Sequence, residues 1–549
     1  MSSTTLKPVT PPPPSPSPSA TESESTARPL PPILGKLLSG TFWLALRTPL
    51  QALTAFWSVP LMIGAFGQGE FGAYRFAWGL GFFQFLLEFG MSSALQREVS
   101  DRWTRGDRGG VDRAITCGTL FYAAIALVQS LVLLVIAYGV MPYSKFSGND
   151  YSLIVKLLWI QILTSPSYGI GVVVSSILQA ARRYEVLPRY EFLIVAVRFV
   201  VLIGGIALGA GLLTIVIAQT VVSIALSFGP ALWVIRREVD YRPKFVRVGL
   251  RDFKGLAQLS VFMFLIQLSV VLADKIDTTI LGFVLEAPAK AVSAYTAVSS
   301  PFLQLRQMGW TLAYFVMPAV ASLAAAGDRE GLDRVTYDGA RLHSAFVLSI
   351  GVMAFLYAGP FLELWIGSQF PGEIPELTHL MRLFLVATIP LLVAVHVQVC
   401  TGLGKLAVVA VAAIAGAVVN LPVSYFLTIQ LGVAGVIWGT VLTTLFSNLL
   451  VPVIYTFRVL DVKPRVYLRR TLLAPAMGAS VMVVTSLLLQ GTGFSADPNS
   501  ANSVMRLVPL ASHLCLAGLA FVAGYTLIPA GRSDLKRVLS RLRMPETPA

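Results

Sequence analysis

The sequence predicts an all-α polytopic membrane protein with about fourteen transmembrane helices, and three observations predict it. Of 549 residues, 55% are hydrophobic and only 13% are charged, about half the charge of a soluble domain. Apolar stretches of roughly twenty residues, the length that crosses a bilayer as a helix, recur from residue 38 to residue 529. None of them alternates as a barrel strand would, and a helix satisfies its own backbone within the segment, as lipid requires. Mean hydropathy is +0.72.

Taken in order, the first 32 residues differ from everything after them. They hold ten prolines among many Ser and Thr and have no apolar h-region, so they do not read as a secretory signal. Such a segment buries too little to offset the entropy of ordering, so residues 1–34 are expected to be a disordered cytoplasmic tail; a proline-rich docking segment is the alternative. The apolar segments follow at roughly 38–64, 71–95, 114–140, 152–180, 190–209, 212–235, 255–283, 291–324, 342–367, 377–402, 405–430, 433–457, 471–490 and 506–529. Cys117, Cys400 and Cys515 each fall in an apolar run without metal-ligand spacing and read as buried small hydrophobes.

The formal net charge is +14, and placement explains it. With a cytoplasmic N-terminus, loops expected in the cytoplasm carry 32 Lys and Arg. The opposite side carries three, Lys145, Lys290 and Arg506. This asymmetry puts both termini in the cytoplasm and needs an even number of spans. It accounts for the charge without nucleic acid. The basic loop at 236–254 adds a possible preference for anionic lipid.

An internal repeat is visible. "LMIGAFGQGEFGAYRFAWGLGFF" joins spans 1 and 2, and "TTILGFVLEAPAKAVSAYTAVSSPFL" joins spans 7 and 8. Each has an apolar–Gly end, a short polar hairpin, Ala-Tyr and a new apolar run, with Tyr74 and Tyr295 in equivalent places. Six-span halves placed head to tail share one orientation, so their symmetry axis lies along the membrane normal.

The stretch "GEFGAYRFAWGLGFFQFLLEFGMSSALQREVS" resembles the second-span signature of Wzx-type polysaccharide-biosynthesis flippases. "LADKIDTTILG" is similar to their Asp-containing seventh span. These proteins belong to the multidrug/oligosaccharidyl-lipid/polysaccharide exporter superfamily. In topology the likeness covers residues 35–460. It implies two six-helix lobes around a central cavity, 35–237 and 238–460, with spans 13 and 14 (461–530) added and a basic tail at 531–549. It also implies alternating access in a bacterial cytoplasmic (inner) membrane. The implied substrate is a polyprenyl-pyrophosphate-linked oligosaccharide, destined for O-antigen, capsule or exopolysaccharide. Implied partners are membrane lipids and a polysaccharide polymerase or other assembly protein; a monomer is the default.

Seven basic residues lie within the predicted spans: Arg47, Arg75, Lys156, Arg198, Lys275, Arg306 and Arg382. A charge at the bilayer centre costs about 2.5–3.5 kcal/mol on insertion scales, so each needs water or a partner. Lys156 and Arg382 lie near span ends, where snorkelling suffices, and Arg75 is placed similarly. Arg47, Arg198 and Arg306 fall near mid-span. In lipid-linked sugar flippases of the superfamily, basic residues on spans 1, 2 and 8 line the cavity, which assigns Arg47, Arg75 and Arg306 to substrate, with Arg198 beside them. A guanidinium suits a pyrophosphate because it grips two oxygens and stays charged. The competing explanation is that each Arg neutralises a buried carboxylate.

The acidic candidates are Glu88, Asp274, Asp277 and, near a span end, Glu363. Asp274 and Asp277 share a helix face, with Lys275 about 100° away. They are placed to bind a coupling proton or Na⁺, to gate, or to pair with Arg306. Glu88 is thirteen residues from Arg75, too far along a helix to pair with it. Pro49, Pro166, Pro301 and Pro390 interrupt spans 1, 4, 8 and 10 and offer kinks.

Two other functions compete. A drug or cation antiporter of the same superfamily needs a carboxylate-rich cavity, whereas mid-membrane Arg is in excess here. A membrane-embedded polyprenyl-dependent glycosyltransferase or ligase usually carries a large outer loop. The longest expected here is "GTGFSADPNSANSVM". His343, His379, His396 and His513 show no metal spacing, and no phosphate loop or nucleophile elbow is present. The sequence therefore predicts a non-enzymatic transporter without metal or organic cofactor.

Overall fold

Gly67 determines how the chain begins. The computed structural model describes residues 32–81, 91–249, 276–405, 407–491 and 503–543. Helix α1 runs Pro32–Leu80, through Pro49 and Pro60, but at Gly67 the backbone takes φ 75°, ψ 171°, a region that favours glycine. A straight helix would hold Thr54 and Trp78 about 36 Å apart, yet both line one cavity. The chain therefore reverses at Gly67, and α1 contains the first expected span in one arm and the start of the second, 71–80, in the other.

The remaining helices are α2 (Met91–Thr104), α3 (Arg108–Tyr143), α4 (Gly148–Ala180), α5 (Val186–Ala207), α6 (Leu212–Arg237), α7 (276–284), α8 (Pro288–Ala325), α9 (Arg329–Leu356), α10 (Ala358–Ile366), α11 (Ile374–Gly402), α12 (Ala407–Leu431), α13 (Val433–Val459), α14 (Pro464–Gln490), α15 (Ser503–Leu527) and α16 (Pro529–Arg543). Among the described residues there is no strand, and twelve helices are long and apolar enough to cross a membrane. That number counts the two arms of α1 once, and most of the expected seventh span lies outside the described residues.

The internal repeat is stronger than Tyr74 and Tyr295 alone indicate. Its offset is constant at 221 residues. "GDRGGVDR" at 106–113 recurs as "GDREGLDR" at 327–334. In both copies the glycine has positive φ, Gly106 at 75° and Gly327 at 69°. The next residue caps the following helix: Asp107 accepts from Gly110 N at 2.8 Å and Asp328 from Gly331 N at 2.8 Å. "DYRPK" at 240–244 matches "DVKPR" at 461–465, and both aspartates adopt left-handed φ, Asp240 at 48° and Asp461 at 51°. The second acid of each motif holds the chain that leaves its own half. Asp112 accepts from Tyr241 Oη and, at 3.1 Å, from Lys244 N; Asp333 pairs with Arg470 at 3.1 Å. Burial and the Asp112 hydrogen bond push the Tyr241 phenol pKa above its usual value.

Three expectations change. Arg341 was expected in a loop but lies inside α9, 3% exposed. The ninth span starts earlier because Asp534 receives Arg341 Nε at 2.7 Å and Nη2 at 2.9 Å, which makes burial of the cation tolerable. Cys515 is exposed, unlike Cys117 and Cys400, because an apolar helix in lipid need not bury every apolar face in protein. The expected tail at 531–549 begins as helix, since α16 runs to Arg543. At Pro390 the expected interruption is a 3₁₀ stretch, Ile389–Val393.

Candidate functional site

A cavity of about 820 Å³ lies between the two halves, within the range of small-molecule sites. The arms of α1 supply Gln51, Thr54, Phe56, Ser58, Tyr74, Arg75 and Trp78, and α5 and α6 supply Arg198 and Gln219. The second half contributes Ser300, Gln304, Tyr357, Phe361 and Met381, and α15 adds Leu510 and Leu514.

Arg75 lies eight residues past the Gly67 turn, about 12 Å along the second arm, deeper than a snorkelling residue needs to be. Among the described residues, two tyrosines, Tyr74 and Tyr295, are the ionisable groups that act on it. Among the described residues no carboxylate pairs with it. Arg198 occupies the middle of α5, where its carbonyl accepts Gln219 Nε2 at 2.9 Å. That bond fixes α5 to α6 and so fixes where the guanidinium enters the cavity. Among the described residues it has no carboxylate partner either.

The remaining expected residues are placed elsewhere. Arg47 pairs with Glu191 of α5, and Arg306 lies over the Phe302 ring at 5.6 Å; neither lines the cavity. Asp277 is 1% exposed and accepts from Tyr295 Oη at 2.7 Å and Thr440 Oγ1 at 3.0 Å, tying α7, α8 and α13 together. Lys156 and Glu363 are exposed. Arg382, half-buried, reaches the Phe355 carbonyl at 3.1 Å. Glu88, Asp274 and Lys275 lie outside the described residues. No group of His, Cys, Asp and Glu among the described residues is placed to hold a metal ion.

Sequence reasoning missed the aromatic wall. Phe56 stacks on Trp365 at 4.8 Å and Phe361 stacks on the same ring at 5.4 Å. Trp365 Nε1 donates to the Phe56 carbonyl at 3.2 Å. Tyr74 and Trp78 lie 5.7 Å apart one turn along the second arm. The i, i+4 spacing of Tyr74 and Trp78 was a visible signal; the Phe56–Trp365 pairing, across 309 residues, was not.

The halves are joined at the face opposite the arginine-rich loops. Gln68 Nε2 donates to the Gln369 carbonyl at 2.8 Å, and Lys145 pairs with Glu286 at 2.9 Å. Gly72 lies so close to α8 that a Cβ there would stand 1.8 Å from the Ala289 carbonyl oxygen. The cavity is thus sealed on that side by backbone as well as side chains.

Residues 37–323 match the polysaccharide biosynthesis protein family, a segment that holds both stretches of resemblance and more than half of the chain. An uncharacterized membrane protein of Bacillus subtilis (strain 168), EpsK, is 22% identical over 437 residues, 76% of this chain and 83% of its own. A Shigella flexneri protein described as an O-antigen transporter is 21% identical over 427 residues, 76% of this chain and 98% of its own. In fold, the chain is similar to the lipid II flippase MurJ in an inward closed conformation, with TM-score 0.67, 14% identity and coverage of 87% of this chain and 98% of that one. An inward-facing multidrug resistance MATE transporter gives TM-score 0.52, 15% identity and coverage of 79% and 99%. The fold is thus similar to that of a transporter of the MOP superfamily, and the chain belongs to the polysaccharide biosynthesis protein family.

Proposed function

We propose that this protein is a flippase for polyprenyl-pyrophosphate-linked oligosaccharides, working by alternating access at the cavity between its halves. One observation carries the reading: Arg75 and Arg198 line the cavity without a carboxylate partner among the described residues. Two cations in such a site favour an anion, and a pyrophosphate offers each guanidinium paired oxygens. The aromatic wall of Phe56, Tyr74, Trp78 and Phe361 gives sugar rings flat apolar faces to lie on. Leu510 and Leu514 of α15 extend the lining with apolar surface, which suits a lipid chain. The seal at one face supports a cavity that opens toward the arginine-rich loops and rocks to the other side. Those loops point to cytoplasmic termini in a bacterial inner membrane. Asp277, with Asp274, Lys275 and Glu88, remains a candidate for coupling to H⁺ or Na⁺ or for gating.

The test is a lipid extract from cells lacking the gene, analysed by mass for polyprenyl-pyrophosphate species. A complete lipid-linked repeat unit is expected to accumulate. Arg75→Ala or Arg198→Ala, expressed in place of the wild type, is expected to leave it accumulated. An unchanged lipid pool with new sensitivity to cationic drugs would indicate an antiporter. Accumulation of a unit lacking its last sugar would indicate an enzyme.

A further inference from the structure

Helix α16 leaves the bundle where a spanning helix ends. Pro529 follows Leu527, the last residue of α15, by two positions. Arg532 Nε turns back onto the Thr526 carbonyl at 2.7 Å, which holds the junction. One buried residue then fixes the rotation of α16. Asp534 is 3% exposed; it takes both Nε and Nη2 of Arg341, and Tyr525 Oη at 2.7 Å.

With Asp534 turned to the protein, helical geometry at 100° per residue places the other side chains. Leu535, Val538 and Leu539 fall within an arc of about 100°, centred roughly a quarter-turn from Asp534. They are 37%, 49% and 43% exposed. In composition the helix is basic: it carries Arg532, Lys536, Arg537, Arg541 and Arg543 against Asp534 as its single acid. An exposed apolar stripe flanked by cations, held at the level where a span exits, has the form of an interfacial helix.

We propose that α16 lies in the membrane surface, with Leu535, Val538 and Leu539 in the headgroup region and its basic residues on anionic lipid headgroups. The charge balance chooses the lipid. A neutral surface would use the apolar stripe and gain nothing from a helix with five basic residues and one acid, whereas an anionic leaflet attracts each cation near it by about 1 kcal/mol, or about fivefold in occupancy. The Arg341–Asp534 pair keeps the stripe at the correct rotation.

The experiment uses the full chain with Cys117, Cys400 and Cys515 replaced by Ser and Leu539→Cys carrying an environment-sensitive nitrobenzoxadiazole label. It is reconstituted into phosphatidylcholine vesicles, with or without about a third phosphatidylglycerol. The expected result is blue-shifted emission, quenched by a nitroxide on the lipid chain, and more so with phosphatidylglycerol. Lys536→Gln and Arg537→Gln should reduce the anionic preference by about fivefold each. A label at Ser540→Cys, on the opposite face, should remain water-like. Water-like emission from position 539 in both vesicles overturns the proposal. Equal quenching in both overturns its anionic part. Blue-shifted emission that the lipid nitroxide does not quench means that protein covers the stripe, which also overturns it.

Discussion

Asp534→Asn is the sharpest perturbation of the C-terminal region, because it removes one charge and little volume. In the wild type the carboxylate accepts three hydrogen bonds, two from Arg341 and one from Tyr525, at 2.7–2.9 Å. Arg341 is 3% exposed. After the substitution its remaining partners are Asp338 at 3.0 Å and the Arg470 carbonyl at 2.9 Å. Removing one partner of a buried pair costs about 3–5 kcal/mol, and because Asp338 still faces Arg341 the loss here falls at the low end, about 3 kcal/mol. Taken as a loss of local stability where α16 docks, that corresponds to an increase in opening of about two orders of magnitude. Tyr525→Phe removes one hydrogen bond to a charged acceptor and should cost about 1.5–3 kcal/mol. Arg537→Gln should cost almost nothing, since Arg537 is 63% exposed and 3.8–3.9 Å from its acids. Amide hydrogen exchange of the peptide covering 529–543 reads all three. The expected order of exchange is Asp534→Asn, then Tyr525→Phe, then Arg537→Gln equal to wild type. If Asp534→Asn exchanges at the wild-type rate while Arg537→Gln does not, the buried pair is not what holds α16.

The other predictions are narrower. Arg75→Ala and Arg198→Ala should each weaken an anionic substrate by about 10- to 150-fold, from losing charge-assisted hydrogen bonds of about 1.5–3 kcal/mol; a transport titration that is unchanged for both refutes the site. Gly72→Ala should lower the thermal midpoint, because its Cβ would stand 1.8 Å from backbone. Gly64→Ala should leave the midpoint unchanged, since its Cβ meets only the end of the Gln369 side chain at 3.6 Å. The raised Tyr241 pKa means that the contribution of its neutral phenol is complete below its ordinary pKa of about 10 and is lost as pH rises past the folded value. Difference titration against Tyr241→Phe should show its phenolate only above the ordinary range; ionisation of Tyr241 near pH 10 would refute the contact with Asp112.

Much of the fold was legible because lipid is a strict solvent. It demands long apolar segments, puts bases on one side, and leaves little sequence freedom in either. The repeat was legible too, but its clearest marks are the polar turns "GDRxGxDR" and "DxxP", rather than the apolar runs where similarity is cheapest. Those turns need particular residues: a glycine at positive φ, then a cap, then an acid that binds the exit of the same half. Arg198 was identified by depth alone, and Arg75 by family likeness. Arg47 has the same depth signal as Arg198, but Glu191 accompanies it on α5. No spacing announces a partner 144 residues away. Arg341 and Asp534, 193 apart, were hidden for the same reason.

The constant offset of the repeat also separates structural residues from those that carry the proposed chemistry. Gly106, Asp107 and Asp240 shape the backbone, and each recurs in kind 221 positions later, as Gly327, Asp328 and Asp461. Arg75 and Arg198 do not recur: the matching positions hold Thr296, which is buried, and Val419, which is exposed. If the two arginines served packing, symmetry would supply equivalents or acids to neutralise them. Instead these two cations, each costing about 2.5–3.5 kcal/mol to insert, line the cavity from the first half with no basic residue at the matching positions of the second. A fold held only slightly above its stability threshold keeps such a cost where function requires it. Under the proposed function this asymmetry would put headgroup binding in the first half, against an uncharged wall of Ser300, Gln304, Phe361 and Met381 from the second.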